Sequence, residues 1–165
     1  MTADDAPRGL LRGERAPDFA LPDQRLSITR LSDFRGRKLL IVFFPLTFTP
    51  VCGGELTSLR DELPDFVGAD RAVIAISTDT SAVHRAFDER EFLGFPLLSD
   101  FWPHGEVASA YGVFDDRTGL ALRATFVVDE GGVVQWSTVT GMPDARSTDD
   151  YRAALAALGN GATKA

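Results

Sequence analysis

The chain contains one cysteine, Cys52, at the end of the segment Pro45-Leu46-Thr47-Phe48-Thr49-Pro50-Val51-Cys52. A single thiol excludes an intramolecular disulfide, a CxxC redox pair and a multi-cysteine metal site. By composition alone such a residue is a small buried hydrophobe. Its surroundings point elsewhere. The stretch Lys38 to Phe44 reads as a strand, and after the cysteine Leu56, Leu59, Leu63 and Phe66 recur at helical spacing. The thiol therefore sits where a buried strand hands over to a helix N-terminus. Unpaired backbone N–H groups and the positive end of the helix dipole favour thiolate over thiol there. Thr49, three residues earlier, offers a hydroxyl to whatever the sulfur attacks. Pro45 and Pro50 add rigid bulk without an N–H, which shapes a pocket and limits water around the sulfur.

The elements that must position this segment follow from pattern. Lys38 to Phe44 is β-branched, aromatic and apolar on both faces, which predicts a central strand covered on both sides and packed in parallel. Ala72 to Ser77 reads as a second buried strand, followed by a helix capped by Thr80 or Ser81 and carrying Val83, Ala86 and Phe87. Upstream, Ala16 to Leu21 predicts a short strand or extended arm, with a turn at Pro22-Asp23. Downstream, a short helix over Glu106 to Tyr111 precedes a strand at Thr125 to Asp129, and Glu130-Gly131-Gly132 turns into Val133 to Val139. Ser147 or Thr148 opens a last helix with Tyr151, Ala154, Leu155 and Leu158 on one face. Residues 1–15 and 159–165 are expected to be flexible. This alternation predicts an α/β fold: a thioredoxin-like three-layer α/β/α sandwich with a central mixed sheet, one domain across residues 1–165.

Composition narrows the partners. The 165 residues and 44% hydrophobic content suit one core, and 17 Lys and Arg against 24 Asp and Glu give a net charge of −7. That charge repels nucleic acid and anionic lipid surfaces. The apolar run Leu39 to Phe44, which no other exceeds, is far short of the roughly 18 residues that a bilayer span needs. Asp4 and Asp5 stand where a secretory signal would carry positive charge, so a cytoplasmic location is expected. Two histidines and scattered acids make no metal-ligand spacing, and no cofactor is expected.

Pro45, Thr49 and Cys52 reproduce the PxxxTxxC signature of the peroxiredoxins, thiol peroxidases with a thioredoxin fold, and the chain resembles that family along nearly its whole length. The resemblance runs from Ala16-Pro17-Asp18-Phe19 through Phe43-Phe44-Pro45 to Arg123-Ala124-Thr125-Phe126-Val127-Val128-Asp129 and the closing helix. Through Leu97 to Gly105 and Ala110 to Phe114 it is most similar to the one-cysteine AhpE-type members of actinobacteria. The resemblance implies that Cys52 is the peroxidatic nucleophile and becomes a sulfenic acid. It further implies that Thr49 hydrogen-bonds the peroxide, Pro45 shields the site, Arg123 holds the thiolate and the polarised oxygens, and Glu55 orients that arginine. Phe44, Phe48, Val51 and Trp102 are the candidates for the substrate-pocket wall. Taken without the resemblance, Arg123 reads as a solvated strand-edge charge and Glu55 as a first-turn acid balancing a helix dipole.

A low thiol pKa would not suffice for this chemistry. Ionising a thiol of pKa about 8.5 completely at neutral pH multiplies the reactive fraction roughly 30-fold, or about 2 kcal/mol. With a Brønsted slope of about 0.4–0.5, lowering the pKa by about 2 units removes roughly tenfold of intrinsic nucleophilicity. Donors that grip the stretched O–O bond must supply the rest. Recycling needs an outside thiol, because no resolving cysteine exists in the chain or in an identical partner. The resemblance implies mycothiol with a mycoredoxin, or a related thiol system, and a homodimer or larger homo-oligomer. A noncatalytic holdase or redox-sensing module, and a fold recruited to a specialised biosynthetic reaction, are the alternatives. Of the remaining residues, His84 reads as solvated, His104 as a pocket or interface residue, and Phe101 and Trp102 as core if they do not line the pocket. Gly53-Gly54 stands where many peroxiredoxins carry polar residues, and is expected to loosen the first helical turn.

Overall fold

The cores of the strands are the most apolar segments of the chain, and they assemble into one sheet. A computed structural model describes residues 9–159. Its elements in chain order are β1 (Ala20–Pro22), β2 (Ile28–Arg30), β3 (Lys38–Phe43), α1 (Pro50–Asp61), β4 (Arg71–Ser77), α2 (Ser81–Glu91), β5 (Leu97–Ser99), α3 (Glu106–Ala110), β6 (Phe114–Asp115), β7 (Leu120–Ala121), β8 (Arg123–Val128), β9 (Val134–Thr140) and α4 (Thr148–Ala157). The main sheet has the order β5-β4-β3-β8-β9. β3 runs parallel to β4, with Phe43 opposite Ile76, and antiparallel to β8, with Phe43 opposite Ala124. The parallel packing predicted for β3 therefore holds on one side only, because its other neighbour belongs to the β8–β9 hairpin. The mixed sheet is as expected.

Alternation along the strands builds two cores. Leu39, Ile41 and Phe43 pack with Ile74, Phe126, Tyr111, Val107 and Leu21 on one face. Leu40, Val42 and Phe44 pack with Leu56, Leu59, Phe87, Tyr151 and Leu155 on the other. One outer layer is thus α1, α2 and α4, and the opposite one is α3 with the N-terminal arm. At about 25 cal/mol per Å² of apolar surface, burying each of these side chains stabilises the fold by about 1.5–3 kcal/mol. That is why a strand apolar on both faces ends in the centre.

Two short hairpins, β1–β2 and β6–β7, were not evident from pattern; strands of three and two residues are too short to show alternation. The predicted flexibility of the first fifteen residues is corrected for 9–15. Gly13 N donates to Val134 O at 2.8 Å, and Val134 N to Glu14 O at 2.8 Å. Gly9 N donates to Gly112 O at 3.2 Å, and a Cβ on Gly112 would meet the Gly9 backbone at 3.2 Å, so glycine is needed for that approach. At the other end the Gly159 carbonyl accepts from Lys38 Nζ. Residues 1–8 and 160–165 lie outside the described residues. The helix α1 runs unbroken through Gly53-Gly54, contrary to the expected loosening. Thr57 Oγ1 donates to the Gly53 carbonyl at 3.0 Å within it.

His84 is not solvated: it is fully buried in α2, its ring tilted against Phe44. The helical wheel misled because the face of α2 that meets β4 includes this polar residue. Ser77 Oγ lies 2.7 Å from Asp79 Oδ2 and 2.6 Å from His84 Nε2. The carboxylate only accepts, so the single Ser77 proton goes to Asp79 and Nε2–H donates to Ser77. His84 Nδ1 is then unprotonated, and no group among the described residues bonds it. Burial lowers the His84 pKa from 6.5 to about 4, against the opposing charge of Asp79. The unfolded chain binds the extra proton first, so folding stability is highest above pH 6.5 and falls as the pH drops toward 4. We expect a loss of about 3 kcal/mol across that interval, measured by urea unfolding, and a flatter profile in His84→Gln.

Candidate active site

The strand-to-helix junction is built by backbone restrictions. β3 ends before Phe44-Pro45, and Pro45 removes a donor from the ladder. The chain reverses at Phe48, a non-glycine residue at φ 64°, a conformation that costs about 1 kcal/mol or more and persists only where its surroundings hold it. Thr49 is the N-cap residue of α1 and Pro50 its first helical residue, which places Cys52 in the first turn. The Thr49 hydroxyl does not cap the helix but donates to the Leu46 carbonyl at 2.7 Å. The first-turn N–H groups at Val51 and Cys52 are left without a side-chain acceptor.

Cys52 is buried, at 1% exposure, and it meets a cation. Arg123 projects from the first position of β8, antiparallel to β3, and its Nη1 lies 3.3 Å from Cys52 Sγ. The same Nη1 donates to Glu55 Oε1. Arg123 Nη2 and Nε donate to the Met142 carbonyl at 2.7 and 3.1 Å, which fixes the plane of the guanidinium. Burial lowers the Arg123 pKa, but the Cys52 hydrogen bond and the Glu55 charge outweigh that and raise it. The guanidinium is a permanent cation.

Sequence reasoning missed Arg146. Its side chain is 1% exposed and lies in the loop between β9 and α4. Nε reaches Glu55 Oε2 at 2.8 Å and Nη2 reaches Oε1 at 3.0 Å, a two-point grip on the carboxylate. Nη1 donates to the carbonyls of Phe43 and Ala124 at 2.6 and 2.8 Å, the facing pair at the end of β3 and the start of β8. No signal in the sequence marks Arg146, since a lone arginine in a polar loop looks solvated. Burial alone would raise the Glu55 pKa; hydrogen bonds and charge from Arg146, with the charge of Arg123, bring it below 4.5.

The structure thus brings Cys52, Arg123 and Glu55 into one cluster, beside Thr49 and the buried Pro45. Among the pocket candidates, Phe48 lines a cleft of about 450 Å³ together with Thr49, Gly53, Gly54, Phe87 and Arg90. Phe44 lies in the core and is 0% exposed, so it backs the site and does not line the cleft. Val51 is half-buried in the first helical turn. Trp102 is 79% exposed on the turn after β5, two strands from β3, and is not part of the cleft wall. The expectation for Trp102 is therefore corrected, as is a core location for Phe101, which is also exposed. The indole is carried outward by a turn that leaves the sheet edge. His104 is exposed and bonds the carbonyls of Phe101 and Gly119, which makes it a loop fastener. A separate cavity of about 330 Å³, lined by Arg15, Leu31, Phe34 and Val128, lies at the opposite end of the sheet from Cys52. No group of His, Cys, Asp and Glu among the described residues could hold a metal ion.

Removing the carboxylate takes from two buried guanidiniums the anion that they share, which typically costs about 3–5 kcal/mol. Glu55→Gln should lose stability on that scale at pH 7 in urea titrations. Because folding depresses the Glu55 pKa below 4.5, its contribution is complete above 4.5 and disappears as the pH falls through the lower folded value. The gap between the variant and the wild-type chain should close in that acid range.

Comparison with known proteins gives a consistent result. The AhpC/TSA family pattern matches residues 12–137. Alkyl hydroperoxide reductase E of Mycobacterium tuberculosis is 46% identical over 147 residues, covering 88% of this chain and 96% of the relative. Among solved structures, a reduced 2-Cys peroxiredoxin of Plasmodium vivax superposes with a TM-score of 0.81 at 27% identity, covering 90% of this chain and 82% of the other. Peroxidoxin BcpB of Mycobacterium tuberculosis gives 0.78 at 31% identity, covering 89% and 97%.

Proposed function

The chain belongs to the AhpC/TSA family, the peroxiredoxins, and from that membership we propose how its site performs thiol peroxidase chemistry. It is a thiol peroxidase with a single cysteine and so works by a one-cysteine mechanism. The Cys52 thiolate attacks the protonated oxygen of a hydroperoxide. The O–O bond breaks, sulfur keeps that oxygen as a sulfenic acid, and the other oxygen leaves as alkoxide or hydroxide and takes a proton from water. Sulfur is oxidised by two electrons and the peroxide is reduced by two.

The observation that carries this reading is the 3.3 Å contact between Arg123 Nη1 and Cys52 Sγ. Two buried guanidiniums face one carboxylate and one sulfur, so the charges of the cluster balance when the sulfur is an anion. Arg123 is proposed to hold the thiolate and then the peroxide oxygens as negative charge moves onto them. Glu55 orients it and Pro45 excludes water. Thr49 donates its only hydroxyl hydrogen to the Leu46 carbonyl, so what it offers a peroxide is its lone pairs, which accept a hydrogen bond from the hydroperoxide.

Recycling is proposed to proceed through an outside thiol that condenses with the sulfenic acid, releasing water and forming a mixed disulfide; a second thiol then frees Cys52. The cleft beside Thr49 is the approach, and a Cβ at Gly53 or Gly54 would meet nothing within 4 Å, so both glycines keep it open. Mycothiol with a mycoredoxin, or a related thiol system, is the reductant proposed on the resemblance to AhpE-type peroxiredoxins, with a cytoplasmic location. Leu46, Phe48, Phe101 and Trp102 leave apolar surface at the site's end of the sheet, which supports a homodimer or larger homo-oligomer.

Mass spectrometry after one equivalent of hydrogen peroxide, an organic hydroperoxide or peroxynitrite should find one added oxygen on Cys52, removed by the competent thiol and absent in Cys52→Ser. An unoxidised Cys52 would overturn the reading. Removing a preorganised donor typically costs about a hundredfold or more in rate. Arg123→Ala should therefore slow peroxide reduction in stopped-flow by about that much, beyond any change in Cys52 ionisation read by thiolate absorbance. Equal effects on both would refute the role given to Arg123.

A further inference from the structure

β3, β4 and β5 are parallel neighbours, so all three release their chains at the same end of the sheet. Three residues beyond Phe44 comes Thr47, and two residues beyond Ser77 comes Asp79. The register therefore sets Asp79 beside the segment that leads to Cys52. Asp79 Oδ2 accepts three hydrogen bonds: from Thr47 N at 2.9 Å, from Thr47 Oγ1 at 2.6 Å and from Ser77 Oγ at 2.7 Å. The Asp79 backbone carbonyl in turn accepts from Ser99 Oγ, at the end of β5, at 2.6 Å. Thr47, Ser77 and Ser99 are all buried, and the Asp79 side chain is 10% exposed. The Asp79 carboxylate joins the exits of β3 and β4, and the Asp79 backbone carbonyl adds that of β5.

What it holds is the turn next to the nucleophile. Thr47 immediately precedes Phe48, whose left-handed backbone is unfavourable for a residue with a side chain. On the far side Thr49 is committed as the helix N-cap residue. The strained residue is thus fixed between two anchors, and Asp79 supplies the first of them. The same turn carries the Leu46 carbonyl that takes the Thr49 proton.

We propose that Asp79 is a positioning residue for peroxide reduction, acting through Thr47 to fix the Leu46–Thr49 turn and so to present the Thr49 hydroxyl as a hydrogen-bond acceptor for the hydroperoxide. This rests on the thiol peroxidase reading of Cys52 and adds a residue outside the PxxxTxxC segment to it. The Ser77–His84 pair is its rear support: with Nε2–H donating to Ser77 Oγ, the Ser77 proton is directed onto Asp79.

The test compares two reactions of the same sulfur. Reduction of a hydroperoxide needs the Thr49 oxygen, whereas alkylation by iodoacetamide has no O–O bond to orient. Asp79→Asn and Thr47→Val should each slow peroxide reduction by between about ten- and a hundredfold, the scale set by displacing a positioned group by roughly 1 Å. Alkylation should keep its wild-type rate in both. Thr47→Ser, which retains the hydroxyl, should restore peroxide reduction. The double variant should be no slower than the slower single one, because both break one tether. Unchanged peroxide rates in folded variants, or equal slowing of both reactions, would overturn the proposal. If Asp79→Asn does not fold, the Thr47→Val and Thr47→Ser pair decides by the same criteria. Failure of the underlying reading looks different: the wild-type chain itself would leave the hydroperoxide unreduced.

Discussion

The Glu55 carboxylate is the keystone of the site, because it is the one anion that lets two arginines be buried beside a sulfur. Arg146 grips it at two points, and Arg123 shares it while reaching Cys52. Neither guanidinium could be dehydrated alone at tolerable cost. Together they form a cluster whose charges match when the sulfur is ionised. In the proposed reaction this is a preorganised electrostatic environment, in which the cation would need no rearrangement as charge passes from sulfur to oxygen.

The sheet gives this cluster its rigidity. Arg146 bonds the carbonyls of Phe43 and Ala124, which face each other where β3 ends and β8 begins, so a loop residue is tied to the most buried part of the fold. Arg123 leads β8, and its guanidinium is tied to the Met142 carbonyl. On the other side of the nucleophile, Asp79 binds Thr47 and Ser99 binds Asp79. The reactive segment thus hangs between the antiparallel half of the sheet and its parallel half. The mixed topology has a functional meaning: the parallel strands send chain exits toward Cys52, and the antiparallel β8 returns a side chain to it.

The strain in the loop fits the same logic. A left-handed Phe48 is tolerated because both flanking threonines are engaged, Thr47 by Asp79 and Thr49 as the helix N-cap residue. Phe48 also packs edge-on against Phe87, and Arg90 lies over its ring. Half-exposed apolar surface beside the cleft is the consequence of that backbone conformation.

Local patterns made much of this protein legible. The doubly apolar run of β3, the helical spacing after Cys52 and the Glu130-Gly131-Gly132 turn fix elements through interactions between near neighbours, and Pro45, Thr49 and Cys52 mark a thiol site through their resemblance to the peroxiredoxin signature. Residues far apart in the chain were decided only on folding. Arg146 and Glu55 are 91 positions apart, and no periodicity distinguishes that arginine from a solvated one. Thr47 and Asp79, 32 positions apart, meet because β3 and β4 are parallel, and His84 is buried because of what lies opposite it on β4. Trp102 stands exposed because a turn carries it off the sheet edge. Sequence determines which local conformations and chemistries are affordable; which charges lose their water, and beside whom, depends on contacts that exist only once the sheet has closed.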